Sequence, residues 1–157
     1  MYENEPIYID DGVDAPRADL PFVERNAVVA VLRNPRTNEY LGLRWKKGVD
    51  WETFVTGGVE EGQTPEEAAR AEVYEETGYK NLRLVKEFPR YHAKFYHTPK
   101  GENRFAHFQP FLFELVDEEQ DPISEKELEK HEPVWLDAEA LAAFRLVEPQ
   151  RLLLKDV

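Results

Sequence analysis

Glu75 and Glu76 follow Glu72 by three and four residues, and on an α-helix that spacing gathers the three side chains onto one face. Neighbouring carboxylates repel by roughly a few tenths of a kcal/mol per pair on a solvated helix. Such a run is most often a solvated acidic face, yet oxygens converging on one point are also what Mg²⁺ or Mn²⁺ requires. The stretch Thr56-Gly57-Gly58-Val59-Glu60-Glu61-Gly62 just before it favours the second reading, because glycines let backbone approach a ligand or cation with no Cβ in the way. Beside an anionic substrate such a cation would neutralise charge and lower the pKa of a bound water. Glu72 is the first choice for base or bridging ligand, with Glu76 one helical turn beyond it and Glu75 alongside. Catalytic and cation-binding roles fall on Glu72, Glu75 and Glu76 together.

A helix must present this cluster, and its ends are written in the sequence. Thr64-Pro65-Glu66-Glu67 supplies a capping hydroxyl, a proline at the first helical position and a glutamate at the third; Gly78 supplies a left-handed stop after about Thr77. Before it, the β-branched run Ala27–Leu32 reads as a strand buried on both faces and Leu41–Trp45 as its hairpin partner across Asn34–Asn38. A third short strand is expected at about 52–56. After the helix, residues 82–88, 92–97 and 105–116 read as strands, 117–130 as a charged segment, 134–136 as a strand, and 138–144 and 148–154 as helices. The pattern predicts an α/β (α+β) fold with a mixed sheet flanked by helices. Residues 1–20 read as a loosely structured lead-in, with one short edge strand at 7–9 and no chemistry, and residues 21–157 as a single domain.

Residues 57–79 resemble the Nudix box, a 23-residue loop-helix-loop, with Gly57, Glu72, Val73, Glu75, Glu76, Gly78 and Tyr79 on motif positions. The resemblance implies an α/β/α sandwich and hydrolysis of a nucleoside diphosphate derivative. It also implies Glu72, Glu75 and Glu76 as metal ligands, with Glu72 as the alternative base and the Gly57 carbonyl in the coordination shell. Two positions depart from the motif: Gln63 stands where the family usually has Glu, and Ala71 where it has the Arg that holds the adjacent glutamate in place. Losing a residue that orients a metal ligand costs roughly 10- to 100-fold, and Arg70 lies about 100° around the helix from position 71. Residues 24–145 are further similar to Nudix-like modules within some bacterial leucyl-tRNA synthetases, through LGLRWKK, GGVEEGQTPEEAARAE, EETGYKN, KFYHTPKGENRFAHFQ and HEPVWL. Those modules likewise favour Gln and Ala at the two departures. The rival to a hydrolase is therefore a catalytically weak or silent Nudix-like nucleotide-binding module, one that senses a nucleotide or serves a larger translation-related enzyme.

The 157 residues contain no cysteine, which excludes disulfides, thiolate metal sites and a cysteine nucleophile, so any metal must be held by oxygen or imidazole. His92 and His97, five apart in a strand, point to opposite faces and do not make a zinc pair. Thirty-two acidic against twenty basic residues give a net charge of -12, which argues against broad nucleic-acid binding and, for an anionic substrate, in favour of a bridging cation. Recognition of a small-molecule nucleotide is assigned to Arg44, Trp45, Lys47, Tyr96 and Arg104, from a wider set that adds Lys46, Tyr91, His92, Lys94 and His107; cations suit phosphates and aromatics suit bases. Glu118, Glu119, Asp121 and Glu125 are candidates for a further carboxylate outside the helix. No apolar run approaches membrane-spanning length, a cytoplasmic location is expected, and a homodimer is compatible with the sequence.

Overall fold

The run Ala27–Leu32 offers no polar side chain to water, and in the computed structural model, which describes residues 4–46 and 51–157, it forms the buried middle of a long strand. In chain order the strands are β1 (Ile7–Ile9), β2 (Phe22–Asn34), β3 (Glu39–Trp45), β4 (Val55–Gly58), β5 (Leu82–Glu87), β6 (Tyr91–His97), β7 (Glu102–Leu115) and β8 (His131–Leu136). The helices are α1 (Pro65–Thr77), α2 (Glu125–Lys130), α3 (Ala138–Ala143) and α4 (Glu148–Leu153). Alternation along β2 builds the layers. Val28, Ala30 and Leu32 pack with Ala69 and Val73 of α1, whereas Val29 and Val31 pack with Leu141, Phe144 and Leu153 in and around α3 and α4. The result is the expected mixed sheet between two helical layers.

Sheet neighbours run β1-β6-β7-β2-β3-β8, with β4 on β2 and β5 on β7. β2 and β7 are parallel from Phe22↔Asn103 to Arg33↔Glu114, β1 is parallel to β6, and the other pairs are antiparallel. β2 and β3 pair only at Arg33↔Tyr40 and Asn34↔Glu39, beside the turn. Beyond that they part: β4, which carries Gly57 and Gly58, takes the edge of β2, and β8 takes that of β3. The glycine loop thus lies in a fork of the sheet.

Beyond earlier starts for β2, β7 and β8, at Phe22, Glu102 and His131, three features differ from the sequence reading. Pairing expected at 52–56 falls instead on Val55–Gly58; Glu52 and Thr53 form single bridges only, and the Glu52 carboxylate is held by Arg44 Nε at 3.1 Å and the Arg145 backbone N at 3.0 Å. The charged segment ends in a helix, α2, begun by Ser124, whose Oγ accepts from Glu127 N. The lead-in is anchored rather than loose. β1 extends β6, and Asn103, fully buried, accepts from Arg17 N and donates to the carbonyls of Arg17 and Leu20. Among the described residues no helix is long and apolar enough to cross a membrane.

Candidate active site

α1 presents its glutamates because both its ends are fixed. Thr64 Oγ1 accepts from Glu67 N, Glu67 Oε1 accepts from Thr64 N, and Gly78 closes the helix at φ 81°, a left-handed conformation that favours glycine. Within that frame the three carboxylates meet different surroundings: Glu75 is exposed, Glu72 half-buried and Glu76 buried. A Cβ on Gly57 would lie 2.1 Å from Glu72 Cδ, so only glycine lets the carboxyl group pack against the loop backbone. Burial, then repulsion from Glu76, Glu75, Glu127 and Glu60, pushes the Glu72 carboxyl up to about 8. Burial also raises Glu76, opposed by the His131 imidazole and reinforced by Glu127 and Glu75. Glu76 Oε2 is buried with no hydrogen-bond partner. A half-satisfied carboxylate beside a second one of raised pKa, in a cradle only glycine allows, is a donor set that fits a divalent cation.

A further carboxylate does reach this cluster from outside α1, but it is Glu127. Donor atoms of Glu76, Glu127 and His131 lie within 4.8 Å of one another. The four acidic residues named from sequence have other surroundings. Glu118 pairs with Arg36, Glu119 and Asp121 pair with Lys80, Asp121 also accepts from Tyr74 Oη, and Glu125 is exposed in the first turn of α2. No periodic signal in the charged segment marks Glu127 out; it is the capping of α2 by Ser124 that sets its place.

Of the two departures from the motif, Ala71 is not made up for by its neighbour and Gln63 has a local role. Arg70 pairs with Glu66 at 3.0 Å, donates to the Leu82 carbonyl at 3.0 Å and lies over the Phe113 ring, so it is committed to the sheet and does not replace an arginine at position 71. Gln63 Oε1 accepts from Glu60 N at 2.9 Å and closes the loop.

The residues assigned to substrate recognition do not converge. Trp45 lies beside His131, its ring edge-on at 4.7 Å and its Nε1 donating to Thr53 Oγ1. Arg44 pairs with Glu52 and lies over Phe144, in the opposite layer. Phe95↔Arg104 and Tyr96↔Asn103 are register partners, so Tyr96 and Arg104 point to opposite faces; Tyr96 lies under the Arg17 guanidinium at 4.2 Å and Arg104 beside Glu102 at 3.5 Å. Lys47 lies outside the described residues. Of the wider set, Lys46 is exposed, Lys94 Nζ sits over Phe22 and Phe105, and His92 Nδ1 and His107 Nδ1 are 2.7 Å apart.

A cavity of about 430 Å³ lies elsewhere, lined among others by Tyr8, Trp51, Thr56, Tyr91, Phe108 and Gln150. Tyr91 and Phe108 stack at 4.9 Å in the α3–α4 layer, and Thr56, next to Gly57, brings the cavity to the edge of the glycine loop. Gln150 holds that edge: its Oε1 accepts from Phe54 N and its Nε2 donates to Thr56 Oγ1. Tyr91 and Lys94 were in the wider set and line this cavity; Tyr8, Trp51, Thr56, Phe108 and Gln150 were missed. The aromatic Trp51 just ahead of the glycines was the only local signal.

The NUDIX domain model matches residues 23–157. Two curated proteins named RNA pyrophosphohydrolase are similar over parts of the chain. That of Bartonella bacilliformis is 53% identical over 34 residues, 22% of this chain and 20% of its own length; that of Bartonella quintana is 34% identical over 76 residues, 44% and 43%. The chain thus spans less than half the length of the curated relatives it matches. Among solved structures, the E. coli dihydroneopterin triphosphate pyrophosphohydrolase aligns with a TM-score of 0.59 at 26% identity, covering 85% of this chain and 96% of that one. A MutT structure, from work on the Aliivibrio salmonicida and Vibrio cholerae proteins, aligns at 0.57 with 17% identity, covering 85% and 96%, a likeness of fold.

Proposed function

Since this chain belongs to the NUDIX domain family, we propose that it hydrolyses the diphosphate linkage of a small nucleoside diphosphate derivative with the help of Mg²⁺ or Mn²⁺. The observation that carries this reading is Glu72: half-buried against Gly57, its carboxyl pushed up to about 8 by burial and by Glu76, Glu75, Glu127 and Glu60. Four neighbouring carboxylates are a costly arrangement unless positive charge is delivered to them. Glu72, Glu75, Glu76 and the Gly57 carbonyl would hold a divalent cation, which supplies charge neutralisation and a lowered pKa for water. In its alternative role Glu72 would take the proton from the water that attacks phosphorus; the P–O bond of the linkage would break and two phosphate-bearing products leave.

The cavity at Thr56 would take the nucleoside. Tyr8, Tyr91 and Phe108 offer aromatic faces to a base, while Asp10, Asp11, Asp14 and Glu148, also lining residues, suit a group rich in N–H donors and disfavour further phosphates. With the net charge of -12, this points to a small nucleotide over a long RNA, and 5′-triphosphorylated RNA belongs in the panel as the alternative that the Bartonella relatives' names suggest.

The test is turnover of nucleotide sugars, dinucleoside polyphosphates, ADP-ribose, NTPs and 5′-triphosphorylated RNA with Mg²⁺ or Mn²⁺, by the wild type and Glu72→Gln. Loss of a general base lowers rate by about 10²- to 10⁴-fold, and that loss with binding retained is the expected result. Full turnover by Glu72→Gln would sink the assignment. Binding without turnover by the wild type across the panel would favour the silent nucleotide-binding module, and recovery of rate by Ala71→Arg would then locate the defect.

A further inference from the structure

We propose that Glu76, Glu127 and His131 form a mixed carboxylate–imidazole site that takes a borderline transition-metal ion, Zn²⁺ or Co²⁺, at the inner end of the glutamate cluster. His131 Nε2 lies 3.4 Å from Glu76 Oε1 and 3.6 Å from Glu127 Oε2. Both separations exceed the 2.7–3.2 Å of an N–H···O bond. They match the edge of a coordination sphere: donors roughly 2.0–2.2 Å from one ion at tetrahedral angles stand roughly 3.3–3.6 Å apart.

The second observation is burial without satisfaction. Glu76 is 7% exposed and His131 1%, yet Glu76 Oε2 and His131 Nδ1 have no hydrogen-bond partner and His131 Nε2 has none at ordinary length. Polar groups buried in that state cost stability unless something else satisfies them. An ion between the two carboxylates and the imidazole would satisfy the Glu76 carboxylate and His131 Nε2, the ring nitrogen that faces it, though not Nδ1 on the far side of the ring, whereas an imidazolium could direct its Nε2 proton at only one carboxylate.

Position supports the same reading. Ser124 starts α2, Glu127 lies one turn in, and His131 is the residue at which α2 gives way to β8, so one short segment delivers two donors to a third on α1. Trp45 closes the far side, edge-on to His131 at 4.7 Å. Oxygen-only sites suit Mg²⁺; an imidazole donor moves preference toward Zn²⁺ and its neighbours. This inference rests on the reading of Glu76 as a cation ligand, and it adds the two outside donors and the class of ion.

The test is calorimetric titration of metal-stripped protein with Zn²⁺, Co²⁺ and Mg²⁺, plus the visible absorption of the Co²⁺ form, for the wild type, Glu127→Gln, His131→Asn and Glu72→Gln. Glu127 is partly exposed, so Glu127→Gln keeps the test valid if His131→Asn fails to fold. Both outside variants should lose about 10-fold or more in Zn²⁺ and Co²⁺ affinity, along with the tetrahedral Co²⁺ bands, while Mg²⁺ affinity stays within roughly threefold. Wild-type Co²⁺ affinity and spectrum in Glu127→Gln, or equal losses for Mg²⁺ and Co²⁺, would overturn the proposal. Turnover by Glu72→Gln reports on the hydrolase reading separately.

Discussion

Glu72 illustrates what a single buried carboxyl imposes on the protein. In an unfolded chain it titrates near 4.5; in the folded, cation-free protein burial and the neighbouring carboxylates hold it at about 8. Between those values the folded state binds the extra proton, so this group's contribution to stability is greatest below about 4.5 and is lost as pH rises toward 8. In the presence of a chelator the melting temperature of the wild type should therefore fall relative to that of Glu72→Gln as pH is raised from 5.5 to 8. Saturating Mg²⁺ should remove the difference in slope, because a ligand that binds only the folded state offsets the repulsion. Parallel pH profiles for the two proteins in chelator would contradict the surroundings described for Glu72. Gly57→Ala tests the other side of the same contact: its Cβ would stand 2.1 Å from Glu72 Cδ. Rate should fall about 10- to 100-fold, as for lost supporting contacts at metal sites, while the circular-dichroism spectrum is unchanged.

Secondary-structure elements were legible where their determinants are local. α1 was readable at both ends because its cap and reciprocal glutamate open it and its terminating glycine directly follows it, and each acts on the backbone beside it. Thr64→Ala removes the hydroxyl half of that box and should cost about 1 kcal/mol, a shift in melting temperature of roughly 2–4 °C, measurable by calorimetry; no shift would mean that packing of Ala69 and Val73 alone fixes the helix. α2 was not readable. Its six residues, Glu125–Lys130, bury none of their side chains and so carry no apolar stripe, and a helix of that length is held by its cap and its connection to β8 rather than by any pattern. Glu127 went unnoticed for that reason, whereas Glu118, Glu119 and Asp121 drew attention by composition alone. That the assigned recognition residues do not converge has a related cause: Tyr96 and Arg104 are close in the sheet, but strand alternation and register, which no residue type reports, send them to opposite faces.

At the scale of the whole molecule, the cavity is assembled from residues 8–14, 51–56, 91–95, 108 and 147–150, which meet only because β1 joins the edge of β6 and α4 packs across the sheet from α1. No local motif could announce it. The lead-in, which composition marks as a connection, supplies one wall: Tyr8 stands edge-on to Tyr91 at 5.9 Å, and Tyr91 stacks on Phe108. If this wall receives a base, Tyr8→Ala should raise KM for the best nucleotide of the panel by roughly 5- to 150-fold, the equivalent of about 1–3 kcal/mol for a lost base–aromatic contact. Turnover number should stay within a few-fold, because the carboxylates of α1 and the Gly57 loop are positioned by β2 and β4, which Tyr8 does not support. Arg104→Ala, at a residue that neighbours the cavity strand but does not line the cavity, should leave both constants unchanged. An unaltered KM in Tyr8→Ala together with a raised KM in Arg104→Ala would move the nucleoside out of the cavity and toward the Tyr96–Asn103 end of β6 and β7.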